Sequence, residues 1–193
     1  MQGQQLNRLI EQARTSPEAF GVLYDTFQPM MFNYVARRVS NTADAEDVSE
    51  QVFEKLLVGL DRFDPERASF KTWLYKVANN AVIDYYRESS KTRHLGLDEA
   101  METYRYDGRV EVDYTRKYLQ VMSLISDLPR AHQEVLSLRF IEDLENEGIA
   151  QVLGCTRRHA AVKLFRALKA LRKLAADRGV LDEVEEGVSG GQG

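Results

Sequence analysis

The Cys and His side chains, which ligate zinc and change charge nearest neutral pH, are few in this 193-residue chain: His94, His132, His159 and Cys155. One cysteine and three scattered histidines do not close a Cys/His zinc site, so no metal and no other cofactor is expected. His132 with Glu134 or His94 could act as an acid–base pair. Spacing fixes no second catalytic group beside it, however, and His132 fits the polar face of a bundle helix. The chain reads as a protein without catalytic residues. Cys155 stands alone, which excludes an internal disulfide and fits a reducing, cytoplasmic setting.

Non-covalent chemistry is better supplied. The 26 Lys and Arg against 30 Asp and Glu give a net charge of −4, an average that argues weakly against nucleic-acid binding and hides the order. Residues 44–64 carry seven acids against two bases, residues 156–174 seven bases and no acid, and residues 175–193 five acids against one base. Charge divided in this way suggests separate faces for separate partners.

The elements that must position these groups are helices. Four prolines, no strand-like alternation, and apolar residues at three- and four-residue spacing predict an all-α chain. Ser16-Pro17-Glu18 starts a helix to about Val39, with Phe20, Leu23, Tyr24, Phe27, Met31, Tyr34 and Val35 as its apolar stripe. Further helices are predicted from about Asp44 to Leu60, Ser69 to Arg87, Pro129 to Ile141, Glu145 to Leu153 and Thr156 to Leu174. Residues 88–113 lack a sustained period and are too long for a connection inside a compact domain. The expected plan is two small helical domains joined by a flexible linker. It comprises an N-terminal extension 1–15, a first domain 16–88, a linker 89–113, a second domain 114–176, and a disordered acidic, glycine-containing tail 177–193. No apolar run approaches the ~20 residues of a membrane span, and MQGQQLNRLI has no signal-peptide core, so no membrane insertion is expected.

Three helix faces follow from a step of 100° per residue. In the helix from Asp44, Val48, Val52, Leu56 and Leu60 face inward, while Asp44, Asp47, Glu50, Gln51 and Glu54 share an outward arc of about 120°. That ridge suits a basic protein surface, or is simply solvated. In the helix from Ser69, Phe70, Trp73, Leu74, Val77, Ala81 and Tyr85 are expected to be buried. Tyr75, Lys76, Asn79, Asn80, Tyr86 and Arg87, with Lys71 at the margin, make the other face. Rings among cations and amides suit single-stranded nucleic acid, offering π faces to bases, charge to phosphates and amides to base edges. The same tyrosines could instead pack a hinge. In the C-terminal half, a short helix, the turn Gly154-Cys155 and a basic helix capped by Thr156 form a helix-turn-helix pattern. Arg157, Arg158 and His159 fill its first turn. Lys163, Arg166, Lys169 and Lys173 share an arc of roughly 120° opposite Leu164, Leu168 and Leu171. The turn and the charge together favour duplex DNA over a solvated face.

Both halves also resemble one family. FGVLYDTFQPMMFNYVARRV, DAEDVSEQVFEKL and FDPERASFKTWLYKVANNAVIDYYR are similar to region 2 of the extracytoplasmic-function (ECF) sigma factors of bacterial RNA polymerase. LISDLPRAHQEVLSLRFIEDLENEGIAQVLG and the basic helix after it are similar to their region 4. The resemblance implies that Asp44, Asp47, Glu50, Gln51 and Glu54 dock on core polymerase. It implies that the loop 63–69 with Lys71, Tyr75, Lys76, Asn79, Asn80 and Arg87 melts the −10 element and holds its single strand. The segment 146–165, with Arg157, Arg158, His159, Lys163 and Arg166, would read the −35 duplex. The acidic segment 94–114 falls where the family threads the polymerase interior, and an anti-sigma factor is a further implied partner. A stand-alone helix-turn-helix regulator of duplex operators is the alternative reading, one that leaves the first domain unexplained.

Overall fold

A computed structural model describes the backbone of residues 3–93 and 115–179 and the side chains of residues 4–88 and 121–179. The expected linker 89–113 falls mostly outside the described residues, as do all but the first three residues of the tail 177–193. Every regular element among the described residues is helical. The helices divide between two units, the first holding α1–α4 and the second α5, α6, most of α7 and α8.

In the first unit α1 (Gly3–Ala13) packs on α2 (Pro17–Ala36), and α2 packs on both α3 (Thr42–Gly59) and α4 (Phe70–Arg93). The opening stretch, expected only as an N-terminal extension, is thus a helix that buries Ile10 and Ala13. Its short apolar set, Leu6, Leu9, Ile10 and Ala13, is the signal that could have found it. Each start has a chemical reason. Ser16 Oγ accepts the Ala19 amide at 3.2 Å and Pro17 opens α2, while Asn41 Oδ1 accepts the Asp44 amide at 2.8 Å and opens α3. The Ser16 hydroxyl also donates to Glu18 at 2.7 Å and holds that carboxyl below its ordinary pKa.

Aromatic rings stitch the three long helices together. Tyr24 meets Phe53 at 4.6 Å between centroids, Tyr34 meets Tyr75 at 5.1 Å, and Phe27 meets Phe70 at 5.2 Å. Phe63, Phe70 and Trp73 close the cluster where α3 turns into α4. Such pairs contribute about 0.5–1.5 kcal/mol each beyond the area they bury. Gly59 leaves little room there: a Cβ would sit 3.2 Å from the Trp73 ring, which would have to give by a few tenths of an ångström.

The second unit packs α5 (Thr115–Ser126) on α6 (Arg130–Leu136) and on α8 (Arg157–Asp177), with α6 against α8. Beyond Leu136 the chain widens into a π turn over Ser137–Ile141, and α7 (Asn146–Val152) follows after Asp143 at φ 50°. The α8 residues fully buried here are Ala160, Ala167 and Ala175, with Leu164, Leu168 and Leu171 half-buried beside them. Small side chains at the contact allow close helix approach.

Candidate polymerase-docking and nucleic-acid interfaces

The acidic ridge forms on α3 as the spacing implies. Asp47, Glu50, Gln51 and Glu54 are all exposed, on the side away from buried Ala45, Val48, Val52 and Leu56. Asp44 is set apart from them. It is half-buried, accepting from Asn41 Nδ2 at 2.9 Å and from the Tyr85 hydroxyl of α4, so it serves the helix start and the α3–α4 seam. Burial first and the Asp44 carboxylate second push the Tyr85 phenol above its ordinary pKa. The ridge has an apolar foot that charge-based reading passed over. Val58 is 79% exposed and continues the line Asp47–Gln51–Glu54, and Leu57, 55% exposed, lies beside it.

The face expected on α4 is only partly there. Tyr75 and Asn79 are corrected to the core: Tyr75 is fully buried against the Tyr34 ring, and Asn79 is 5% exposed, with its Oδ1 3.4 Å from the Tyr34 hydroxyl. The physical reason is helix phase. α4 is clasped by α2 as well as α3, so its buried arc is wide and takes in Thr72, Tyr75, Ala78, Asn79 and Val82. Trp73, Val77 and Tyr85, expected to be buried, are half-buried at its margin. Tyr86, expected on the open face, is half-buried, stacks edge-on with Tyr85 and donates its hydroxyl to the Arg38 carbonyl. What remains open is a single line, Lys76, Asn80, Ile83 and Arg87, with Lys71 half-exposed at the start. Ile83, 47% exposed, is an apolar member that sequence reading missed. Arg87 is tied to Asp84 at 3.2 Å, and Lys55 of α3 donates to the same carboxylate at 2.9 Å. The Lys55 bond is the chief reason the Asp84 pKa lies below its ordinary value.

The helix-turn-helix takes the expected form. Cys155 N–H bonds the Ala150 carbonyl at 2.9 Å, Gly154 supplies φ +61° at the turn, and Thr156 Oγ1 accepts the His159 amide at 3.2 Å. A left-handed φ of that kind favours glycine. Arg157, Arg158, His159, Lys163 and Arg166 are all exposed, and none forms an ion pair among the described residues. Val162 and Phe165, 38% and 68% exposed, interrupt this cationic face with apolar groups of the kind that meet thymine methyls. No cluster of His, Cys, Asp or Glu suited to a metal occurs among the described residues, and no helix there is long and apolar enough to cross a membrane.

Comparison with known proteins gives the same division. The family description Sigma-70 region 2 matches residues 23–92, and Sigma-70, region 4 matches residues 118–171. The chain is 30% identical over 154 residues to the RNA polymerase sigma factor YlaC of Bacillus subtilis, covering 78% of this chain and 88% of YlaC. It is 28% identical over 175 residues to the ECF RNA polymerase sigma factor BldN of Streptomyces coelicolor, covering 88% of this chain but 65% of BldN. Among solved structures its fold is similar to CnrH in complex with the cytosolic domain of CnrY, with TM-score 0.61, 24% identity, and 88% and 96% of the two chains covered.

Proposed function

The chain belongs to the sigma-70 family of RNA polymerase sigma factors, in its ECF branch, and from that premise we propose how its surfaces divide the work of initiation. It directs core polymerase to specific promoters and helps open them, leaving phosphodiester chemistry to the polymerase and needing no catalytic residue of its own. The α3 ridge of Asp47, Glu50, Gln51 and Glu54, with Val58 and Leu57 at its foot, docks on a basic surface of core. The loop 63–69 and the α4 line of Lys71, Lys76, Asn80 and Arg87 meet the −10 element as a single strand. Arg157, Arg158, His159, Lys163 and Arg166 of α8 meet the −35 duplex, entering the major groove from the first turns of the helix. An anti-sigma factor completes the list of partners, as a protein that would cover the same docking surfaces. The setting is the cytoplasm, where polymerase and promoter are.

The observation that carries this reading is the pairing of two opposite, exposed faces, acidic on α3 and cationic on α8, each inside its own matched sigma region. A stand-alone operator-binding regulator is not favoured, because it gives α1–α4 no task. The test is run-off transcription from a promoter library by purified chain added to core polymerase. Promoter-specific transcripts that require the chain are expected, and their absence on every template rejects the proposal.

A further inference from the structure

The loop between α3 and α4 begins at Phe63, whose ring is buried against Phe70 and Trp73 at 5.5 and 5.1 Å between centroids. From Asp64 it turns on itself. Asp64 Oδ1 accepts the Glu66 amide at 2.9 Å, the Asp64 carbonyl accepts the Arg67 amide at 3.2 Å, and Asp64, Pro65, Glu66 and Arg67 are all exposed. The turn is anchored at its far end by the start of α4, where Ser69 Oγ accepts the Thr72 amide at 3.1 Å, and at its near end where the backbone leaves Phe63. The carbonyl at that point is held by a residue 49 positions earlier: Arg14 Nη2 donates to the Phe63 oxygen at 2.9 Å. Arg14 follows directly on α1, its side chain is 26% exposed and its Nε is buried, and Glu11 steadies the same Nη2 at 3.2 Å. Burial of Ile10 and Ala13 fixes α1 on the unit and so fixes the reach of Arg14.

We infer that Arg14 is a positioning residue for −10 recognition: by holding the Phe63 carbonyl it aims the exposed turn 64–67 at the strand that α4 receives. The inference rests on the assignment of that loop to the −10 element, and it gives the N-terminal helix a role in promoter choice. A hydrogen bond from a charged donor to a half-buried carbonyl is stronger than a neutral one, and its loss frees the first backbone group of the loop.

The test is selection by holoenzyme from a promoter library randomised over the −10 segment, with −35 selection, core affinity and thermal midpoint measured alongside. Arg14→Met keeps an unbranched apolar stem but loses every donor, and it is expected to weaken −10 enrichment about tenfold while −35 enrichment and core affinity hold. Arg14→Lys, which can still donate to the carbonyl, is expected to recover most of that loss. Unchanged −10 enrichment in Arg14→Met overturns the inference. So does a Lys variant as poor as the Met variant, or a parallel fall of −10 selection, −35 selection and thermal midpoint, which marks a merely structural residue. A wild-type holoenzyme that enriches no −10 sequence overturns the parent assignment instead, and the inference with it.

Discussion

α4 and α8 carry the proposed DNA contacts of their units, yet they are held and charged in opposite ways. α4 is gripped by aromatic and polar side chains, with Tyr75 and Asn79 in its buried arc, Tyr85 bonded to Asp44 of α3 and Tyr86 to the Arg38 carbonyl between α2 and α3. α8 buries mainly alanine, at positions 160, 167 and 175. Of the cations on α4, Arg87 is shared with Asp84, whereas the five basic-face residues proposed on α8 make no ion pair among the described residues. The difference teaches that a helix proposed to face DNA can be built for shape or for charge. The α4 line offers one amide, few cations and Ile83 in a fixed frame, suited to holding a particular strand geometry. The α8 face offers concentrated charge whose strength depends on counterion release.

Substitutions and one change of pH break or sharpen that contrast. Tyr75→Ala is expected to destabilise the first unit by about 3–5 kcal/mol, the range for truncating a large buried ring, as a lowered thermal midpoint of the chain without DNA. An unchanged midpoint with lost −10 binding would return Tyr75 to the DNA face. Reversal of Asp47 and Glu54 to Lys is expected to cost several kcal/mol of core-polymerase affinity through like-charge contact, while stability stays within about 0.5 kcal/mol. Equal affinity in a pull-down titration removes the ridge from the docking surface.

Replacing Arg157 and Arg158 by Ala is expected to lose about 1–3 kcal/mol per contact on −35 duplex, and to lower the salt slope of holoenzyme binding by about 0.9 per phosphate contact. Replacing Lys76 and Asn80 should change that slope less, and equal changes would erase the distinction between the helices. Thr156→Ala removes the α8 cap and is expected to destabilise the second unit by about 1 kcal/mol, read from denaturant titration. The smallest effect is a pH response. Asp84 has a lowered folded pKa, so its contribution is full above the unfolded value and fades as pH falls through the folded one. Because Lys55 and Asp84 are each more than a third exposed, screening limits the effect to about 0–1 kcal/mol, and Lys55→Ala should flatten the acid limb of stability by no more than that.

The all-α class, the helix-turn-helix, the Thr156 cap and the α3 ridge were legible because each rests on local rules: periodicity, a capping residue, a glycine at a turn. The misread portion lies on α4. A helix packed on one side buries a narrow stripe, and from one sequence the stripe through Phe70 and Leu74 looks sufficient. The second clasp, by α2, is a long-range fact, and it draws Tyr75 and Asn79 inward through Tyr34, more than forty residues earlier in the chain. Asp44 shows the same limit, since its charge joins the ridge while its hydrogen bonds belong to Asn41 and Tyr85. Arg14 was unreadable for the same reason, since only the folded chain brings it to Phe63.

The bond between Asp44 and Tyr85 constrains how this molecule can diverge. A change at Asp44 that improved its fit to an altered polymerase would loosen the far helix at the same stroke, so that position is pleiotropic. Adaptation of the proposed docking charge is then channelled into Asp47, Glu50 and Glu54, which are exposed and form no bond to the neighbouring helix among the described residues, and descendants meeting new polymerases should vary there first.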